Sequence, residues 1–511
     1  MRAPGAGVRS KPVRPAGVAQ SEGRLLASGA LVQQAAQGAG LVALLIIVTI
    51  LARRLDSVDE LGAYGLIASL AGYLLVLRNS VASSAVRAMA AAVERDERNA
   101  VFCAAAALYT GAGLATGVLI AVAGALIAGL ILDGSLASDA RVGALGLGAL
   151  TAAGVTASVW LDALRAERRF VRAASIEIAA VVLYLGIMLA LIFGGAGLGA
   201  LIAVSGALPL LSGTLSRLMA GRMGLGLRWR PTTATRPRVM AIVPTAGWLL
   251  VIELCNLAMY AFSRVILGAF KSPAKVGLIE GPVRAHNLLY ALGGALAVPV
   301  VPTGSRYVAT GDERRLRDLA VRGTRYTLAL FVPLCVTLMV LSGPILAAWL
   351  GDRYAGGDVA MAILVSYWLV YGGLVVTPGF LVGAGLARYV ARVMVCVAAL
   401  NLVLSLSLTP AIGLEGPAIA TAVPFFLAFP VLLRLGLRAS GATTAELARR
   451  AWAPNYALGA VLALALIAGR AILPMDSTIA VLALAAGGVL AYWAVFAFAV
   501  LDASERGLLR R

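Results

Sequence analysis

Glu253, Asn256, Tyr260 and Arg264 recur at spacings of three, four and four, and Glu280, Arg284 and Asn287 at four and three. On an α-helix each set falls within one narrow stripe. The residue types suit an anionic, hydroxyl-rich ligand: guanidinium groups meet phosphate oxygens through charge-assisted hydrogen bonds, and amides, a phenol and carboxylates meet sugar hydroxyls. Both stripes lie in apolar surroundings. A charge at the lipid-facing centre of a helix costs about 2.5–3.5 kcal/mol even on the lenient insertion scale, so four cost about 10 kcal/mol, comparable with the stability of a whole domain. The stripes therefore face other helices or a water-filled space. Glu280 and Arg284 can also pair with each other, and His286, the only histidine, reads as a buried hydrogen-bonder ahead of a proton relay. Arg78 is the third arginine at membrane depth, placed either in a cavity or snorkelling to the interface.

The elements that position these residues must be membrane helices. The chain has 511 residues, is 61% apolar with 13% charged, and has a mean hydropathy of +0.92. Fourteen stretches, near 26–52, 61–84, 100–132, 142–164, 173–194, 196–220, 239–268, 277–304, 326–350, 359–384, 389–409, 413–436, 452–473 and 477–500, are long enough to cross about 30 Å of hydrocarbon. The fold class is thus an all-α polytopic membrane protein with 14 transmembrane helices. Most of the 43 Lys and Arg residues fall on one side if the amino terminus is cytoplasmic, which sets that orientation, with both termini inside. The net charge of +19 then reads as attraction to an anionic inner leaflet and its membrane lipids, and nucleic acid is excluded as a partner. Residues 1–24 are basic, rich in Pro, Gly and Ala, and read as a disordered cytoplasmic tail. Cys103, Cys255, Cys335 and Cys396 all lie in apolar segments with no CxxC pair, so neither disulfides nor a zinc site are indicated.

A duplication runs through the chain. Ser57 to Gly62 (SVDELG) matches Ser272 to Gly277 (SPAKVG); Arg87, Arg95 and Arg98 match Arg306, Arg314 and Arg317; Asp133 and Asp139 match Asp352 and Asp358; Arg168 and Arg172 match Arg388 and Arg392. Gly197-Leu198 pairs with Gly413-Leu414, so the landmarks keep their order at a nearly constant separation of about 215–220 residues. Each copy holds six spans, an even number, so the copies are parallel repeats about an axis along the membrane normal, with the substrate expected between them. The organisation that follows is a tail at 1–24, a six-helix bundle at 25–220, an arginine-rich cytoplasmic linker at 221–238, a second six-helix bundle at 239–436, and two additional C-terminal helices with a tail at 437–511.

Catalytic motifs are missing: there is no Walker A sequence, GxSxG, HExxH or DxD pair, and the connections are too short for a soluble catalytic domain. The expectation is a transporter, not an enzyme, with no catalytic residue, cofactor or metal site.

Ile50 to Leu70, Val265 to Gly277, Arg306 to Leu319, Ile345 to Tyr354 and Asn401 to Ala420 resemble the O-antigen and polysaccharide flippase family, the Wzx type, of the multidrug, oligosaccharidyl-lipid and polysaccharide exporter superfamily. The resemblance covers roughly residues 25 to 436. It implies two six-helix bundles plus two trailing helices in the bacterial cytoplasmic membrane, and a cationic central cavity that moves undecaprenyl-diphosphate-linked oligosaccharide outward by alternating access. Other polysaccharide-assembly proteins are the partners it implies. Two departures, Ser263 where the family often has an acid and Leu278-Ile279-Glu280-Gly281 where it has a Tyr-containing helix start, mean that substrate contacts rest on the polar stripes themselves. The expected substrate-binding set is Arg78, Glu253, Asn256, Tyr260, Arg264, Glu280, Arg284 and Asn287. A lipid II flippase and a cation-coupled multidrug exporter of the same superfamily are the alternatives, the latter with Glu253 as proton carrier.

Overall fold

The computed structural model describes residues 16–92, 94–230, 233–242, 259, 263–297, 300–377, 381, 386–501 and 505. Among them every regular element is helical. The first lobe holds α1 (Ala16–Arg54), α2 (Val58–Ala91), α3 (Arg95–Ile131), α4 (Gly134–Ala157), α5 (Val159–Ala166), α6 (Phe170–Phe193), α7 (Leu198–Val204) and α8 (Leu208–Arg222). After the linker and α9 (Arg236–Ile242), the second lobe holds α10 (Pro273–Ala297), α11 (Val300–Thr310), α12 (Glu313–Val340), α13 (Ser342–Leu350), α14 (Asp358–Tyr371), α15 (Ala387–Ile412) and α16 (Glu415–Ser440), followed by α17 (Ala453–Ile472) and α18 (Thr478–Ala499).

Ten helices, or eleven counting α7 and α8 as one span bent by 45°, are long and apolar enough to cross a membrane among the described residues. The expected spans near 61–84 and 277–304 correspond to α2 and most of α10, whereas that near 239–268 lies mostly outside the described residues. Helix α1 begins at Ala16, so the end of the stretch expected to be disordered tail is helical. The expected span near 142–164 is broken at Ser158, whose hydroxyl donates to the Gly154 carbonyl at 2.8 Å, a back-bond that bends helices.

Within the first lobe α3 and α4 lie backbone to backbone. A Cβ at Gly117 would stand 2.5 Å from the Gly148 carbonyl oxygen, and one at Gly113 would stand 2.6 Å from that of Ala152. In lipid, where apolar burial gives no drive for association, such small-residue faces supply close van der Waals packing.

The duplicated motif defines the seam between the lobes. Ser57 caps α2 by accepting the Glu60 N–H at 3.2 Å, and Ser272 accepts the Lys275 N–H at 3.4 Å at the start of α10. The glycine ending each motif then packs on the other copy: a side chain at Gly62 would collide with the Pro273 carbonyl, and one at Gly277 with the Val58 carbonyl. Pro273 and Val58 each follow the capping serine, so the contact is reciprocal, as a local two-fold through the seam requires. A second reciprocal hold lies beside it. Arg53 donates to the carbonyls of Ala348 (2.7 Å) and Trp349 (3.3 Å) at the end of α13, while Arg353 donates to that of Ala52 in the last turn of α1 and to those of Leu55 (2.7 Å) and Asp56 (3.1 Å) just past it. Cationic groups belong at helix C-termini, where the unsatisfied carbonyls and the helix dipole both favour them. All these contacts lie toward the face opposite the linker.

Gly62→Ala or Gly277→Ala is expected to bias the lobes against this closed seam by about 1–3 kcal/mol, the usual cost of overpacking, which is roughly a 5- to 150-fold shift. Thiol labelling of a cysteine placed at Ser57 should rise in both variants; unchanged labelling would show that the seam does not open.

Candidate functional site

The two lobes bury a charged triad where they meet. On helical residues 263–270, Arg264 Nε donates to Glu280 Oε1 at 2.6 Å, and Arg284, one turn on from Glu280 along α10, approaches Glu280 Oε2 at 3.2 Å. Arg264 is 3% exposed and Glu280 1%. Glu280 lies flat on α2: a Cβ at Gly65 would stand 2.5 Å from its Oε1. Gly65 is thus the residue of the first lobe that makes room for the acid of the second. The phenols of Tyr64 and Tyr184, also buried and from the first lobe, lie close enough to Arg284 to feel its charge. Arg284 Nε is buried without a hydrogen-bond acceptor among the described residues, so this guanidinium has donor capacity that Glu280 does not use. Such a cluster can take up an anionic group when the seam admits one.

Of the expected site residues, Arg264, Glu280 and Arg284 are therefore brought together, and the Glu280–Arg284 pairing weighed from their spacing is present as part of a larger group. Asn287 follows on α10, half-buried. Its neighbour His286 is 2% exposed and accepts from Trp368 Nε1 through Nδ1 at 3.1 Å, among the rings of Tyr367 and Trp368. That is the buried hydrogen-bonding role its sequence context favours. Glu253, Asn256 and Tyr260, with Cys255 beside them, lie outside the described residues.

Arg78 stands apart, in a network internal to the first lobe. Its guanidinium meets Asp162 Oδ2 at 2.7 Å; Asp162 also accepts from Tyr109 at 2.6 Å and from Arg165 at 2.7 Å, and Arg165 reaches Glu177 at 2.8 Å. Asp162, 1% exposed, thus ties α5 to α2 and α3, and Arg165 carries the network on to α6. The four charges of Arg78, Arg165, Asp162 and Glu177 cancel. Sequence reading missed Asp162, Tyr109 and Glu177, because their spacing along the chain carries no pattern. The available signal was that an arginine at membrane depth whose own helix carries acids only in its first turn, eighteen or more residues away, must find one elsewhere.

Comparison with known proteins places this geometry. Residues 50–357 match the family described as polysaccharide biosynthesis protein. The chain is similar to a protein described as "Probable flippase AglR" from Haloferax volcanii, 28% identical over 286 residues, or 54% of this chain and 57% of that relative. From the same organism, "Probable low-salt glycan biosynthesis flippase Agl15" is 22% identical over 31% of this chain and 34% of its own length. The chain thus spans about half or less of these curated relatives. Among solved structures it is similar to the lipid II flippase MurJ in an inward closed conformation, with a TM-score of 0.71 and 13% identity over 91% of this chain and 98% of that one. It is also similar to an inward-facing multidrug resistance transporter of the MATE family, with a TM-score of 0.63 and 14% identity over 81% of this chain and 98% of that one. At such identities the likeness is one of fold. The match over more than half of the chain is one of family: this multi-pass membrane protein belongs to the polysaccharide biosynthesis protein family and has the fold of the multidrug, oligosaccharidyl-lipid and polysaccharide exporter superfamily.

Proposed function

We propose that the chain is a flippase that carries a polyprenyl-diphosphate-linked oligosaccharide from the inner to the outer leaflet of the cytoplasmic membrane by alternating access, as a transporter and not an enzyme. Both termini and the basic linker lie on the cytoplasmic side in this reading, so the seam formed by α2 and α10 closes the outer face. The observation that carries it is the buried Arg264–Glu280–Arg284 triad at the junction of the lobes, in which Arg284 keeps a buried Nε with no acceptor among the described residues. A diphosphate entering there exchanges water for two guanidiniums, while Asn287, Tyr64 and Tyr184 offer polar groups to sugars and the prenyl chain stays in lipid. Glu253, Asn256 and Tyr260 extend the same wall in this proposal. Arg78 is assigned a structural role, because Asp162 already neutralises it.

Arg284→Gln is the clean test, since it leaves the Arg264–Glu280 bond in place and removes the guanidinium whose Nε lacks an acceptor among the described residues. Loss of one charge-assisted contact is worth about 1.5–3 kcal/mol, so transport of a fluorescent polyprenyl-diphosphate oligosaccharide in proteoliposomes should fall roughly 10- to 150-fold, with Arg284→Lys retaining an intermediate rate. Wild-type transport by Arg284→Gln would sink the assignment. Competition by lipid II or by organic cations at matched concentration would redirect it to the corresponding alternative.

A further inference from the structure

We propose that a groove on the outer flank of the first lobe, separate from the seam, binds an anionic phospholipid of the linker-side leaflet. The groove has a volume of about 1310 Å³. Its floor is the small-residue face of α4 and α5, with Ala152, Ala153 and Ala157 leading to Trp160, and its walls are α3 and α8. Along α3 the lining runs from Phe102 to Leu114, about 18 Å at helical rise and roughly the depth of one leaflet. Leu114, at the deep end, is 58% exposed. The described packing partners of α4, α5 and α8 all belong to the first lobe, so the groove opens to the bilayer and not to the α2–α10 seam.

The rim is cationic. Arg95 on α3, Arg217 on α8 and Arg228 on the linker line it, all three are exposed, and none makes an ion pair with an acid among the described residues. Trp160, with the Arg217 guanidinium 5.9 Å from its ring centre, and the exposed Trp229 stand at the same level, where amphipathic rings mark a membrane interface. The linker is fixed as a strap across the mouth: the Arg228 N–H donates to Asn99 Oδ1 at 2.7 Å, the Arg230 N–H to Cys103 Sγ at 3.3 Å, and the Cys103 thiol to the Arg228 carbonyl at 3.3 Å. An apolar slot one leaflet deep beneath three uncompensated guanidiniums is complementary to an acyl chain under a phosphate. Basic pockets between helices on the cytoplasmic side recognise anionic headgroups by this means. A phosphate held by Arg95, Arg217 and Arg228 also staples the lobe-connecting strap to the first lobe.

The test is lipid retention by the full chain. Protein delipidated in detergent is incubated with mixed micelles of phosphatidylcholine and phosphatidylglycerol, and bound lipid is read by native mass spectrometry. Wild type and Arg222→Gln, an exposed arginine outside the groove, should retain phosphatidylglycerol over phosphatidylcholine. Removing each of Arg95, Arg217 and Arg228 by Gln should weaken retention roughly fivefold, the effect of about one surface arginine. All three side chains are exposed, so the thermal midpoint should stay at the wild-type value and report folding independently. The proposal is overturned by equal retention in the triple variant, by an equal loss in Arg222→Gln, or by equal binding of the two phospholipids. A polyprenyl diphosphate that displaces phosphatidylglycerol at tenfold lower concentration would also overturn it, making the groove a loading site for the transported lipid. None of these readouts depends on flipping, so they stand apart from the transport assay.

Discussion

Asp162→Ala is expected to destabilise the protein by about 3–5 kcal/mol, the range for removing one partner of a buried ion pair, and to lower the yield of monodisperse protein sharply. The carboxylate receives Tyr109, Arg78 and Arg165 at once and is 1% exposed, so its loss strands a phenol and two guanidiniums drawn from three different helices. Asp162→Asn keeps an acceptor but removes the charge and should fall between wild type and alanine. Charge balance and not shape sets the loss, so Asp162→Leu combined with Arg78→Leu should recover part of it, as apolar replacement of a whole buried pair often does. Thermal unfolding in detergent, followed by size-exclusion profile, reads all three variants. An unchanged midpoint for Asp162→Ala would mean that water reaches this site and the network is not what holds the first lobe together.

Glu280→Ala carries a comparable penalty, about 3–5 kcal/mol, with a different outcome. Here the groups left behind are Arg264 and Arg284, two like charges with no acid between them, and Glu280 is also the residue laid against Gly65 across the seam. The variant should lose thermal stability and, in addition, part its lobes on the face opposite the linker, because the remaining charges gain by hydration. Glu280→Ala with Arg264→Leu returns the local charge to one guanidinium and should regain stability without regaining transport at the wild-type rate. Midpoints from unfolding, together with labelling of a cysteine at Ser57, separate the two effects. If Glu280→Ala were as stable as wild type, the triad would be solvated and its burial energetically idle.

The contrast between these two clusters explains what was legible in the sequence. Glu280 and Arg284 announce themselves by a four-residue spacing in an apolar stretch, and Arg264 by its cost at membrane depth; local pattern and a single energy scale suffice. Asp162, Tyr109, Arg78 and Glu177 lie on four helices, and only packing brings them together. The matched motifs at 57–62 and 272–277 were readable because they are turn chemistry. Ser57 and Ser272 cap helices, and Gly62 and Gly277 are small because the facing carbonyls leave no room. Hydropathy, by contrast, is blind to backbone direction, so the break at Ser158 and the 45° bend between α7 and α8 were hidden inside spans that read as continuous. The groove beneath the linker was equally invisible, since Ala152, Ala153 and Ala157 look like ordinary helix interior until α3 and α8 are seen to stand apart over them.

Where Arg53 and Arg353 cross the seam they take hold of peptide oxygens, so these bonds ask nothing of the side chains at 52, 55, 56 and 348, and Trp349 adds a side-chain bond of its own, to the Thr49 hydroxyl. Divergent relatives could preserve this closure with two guanidiniums amid otherwise unrelated letters, and an alignment of their sequences would register the fingers while leaving no trace of what they hold.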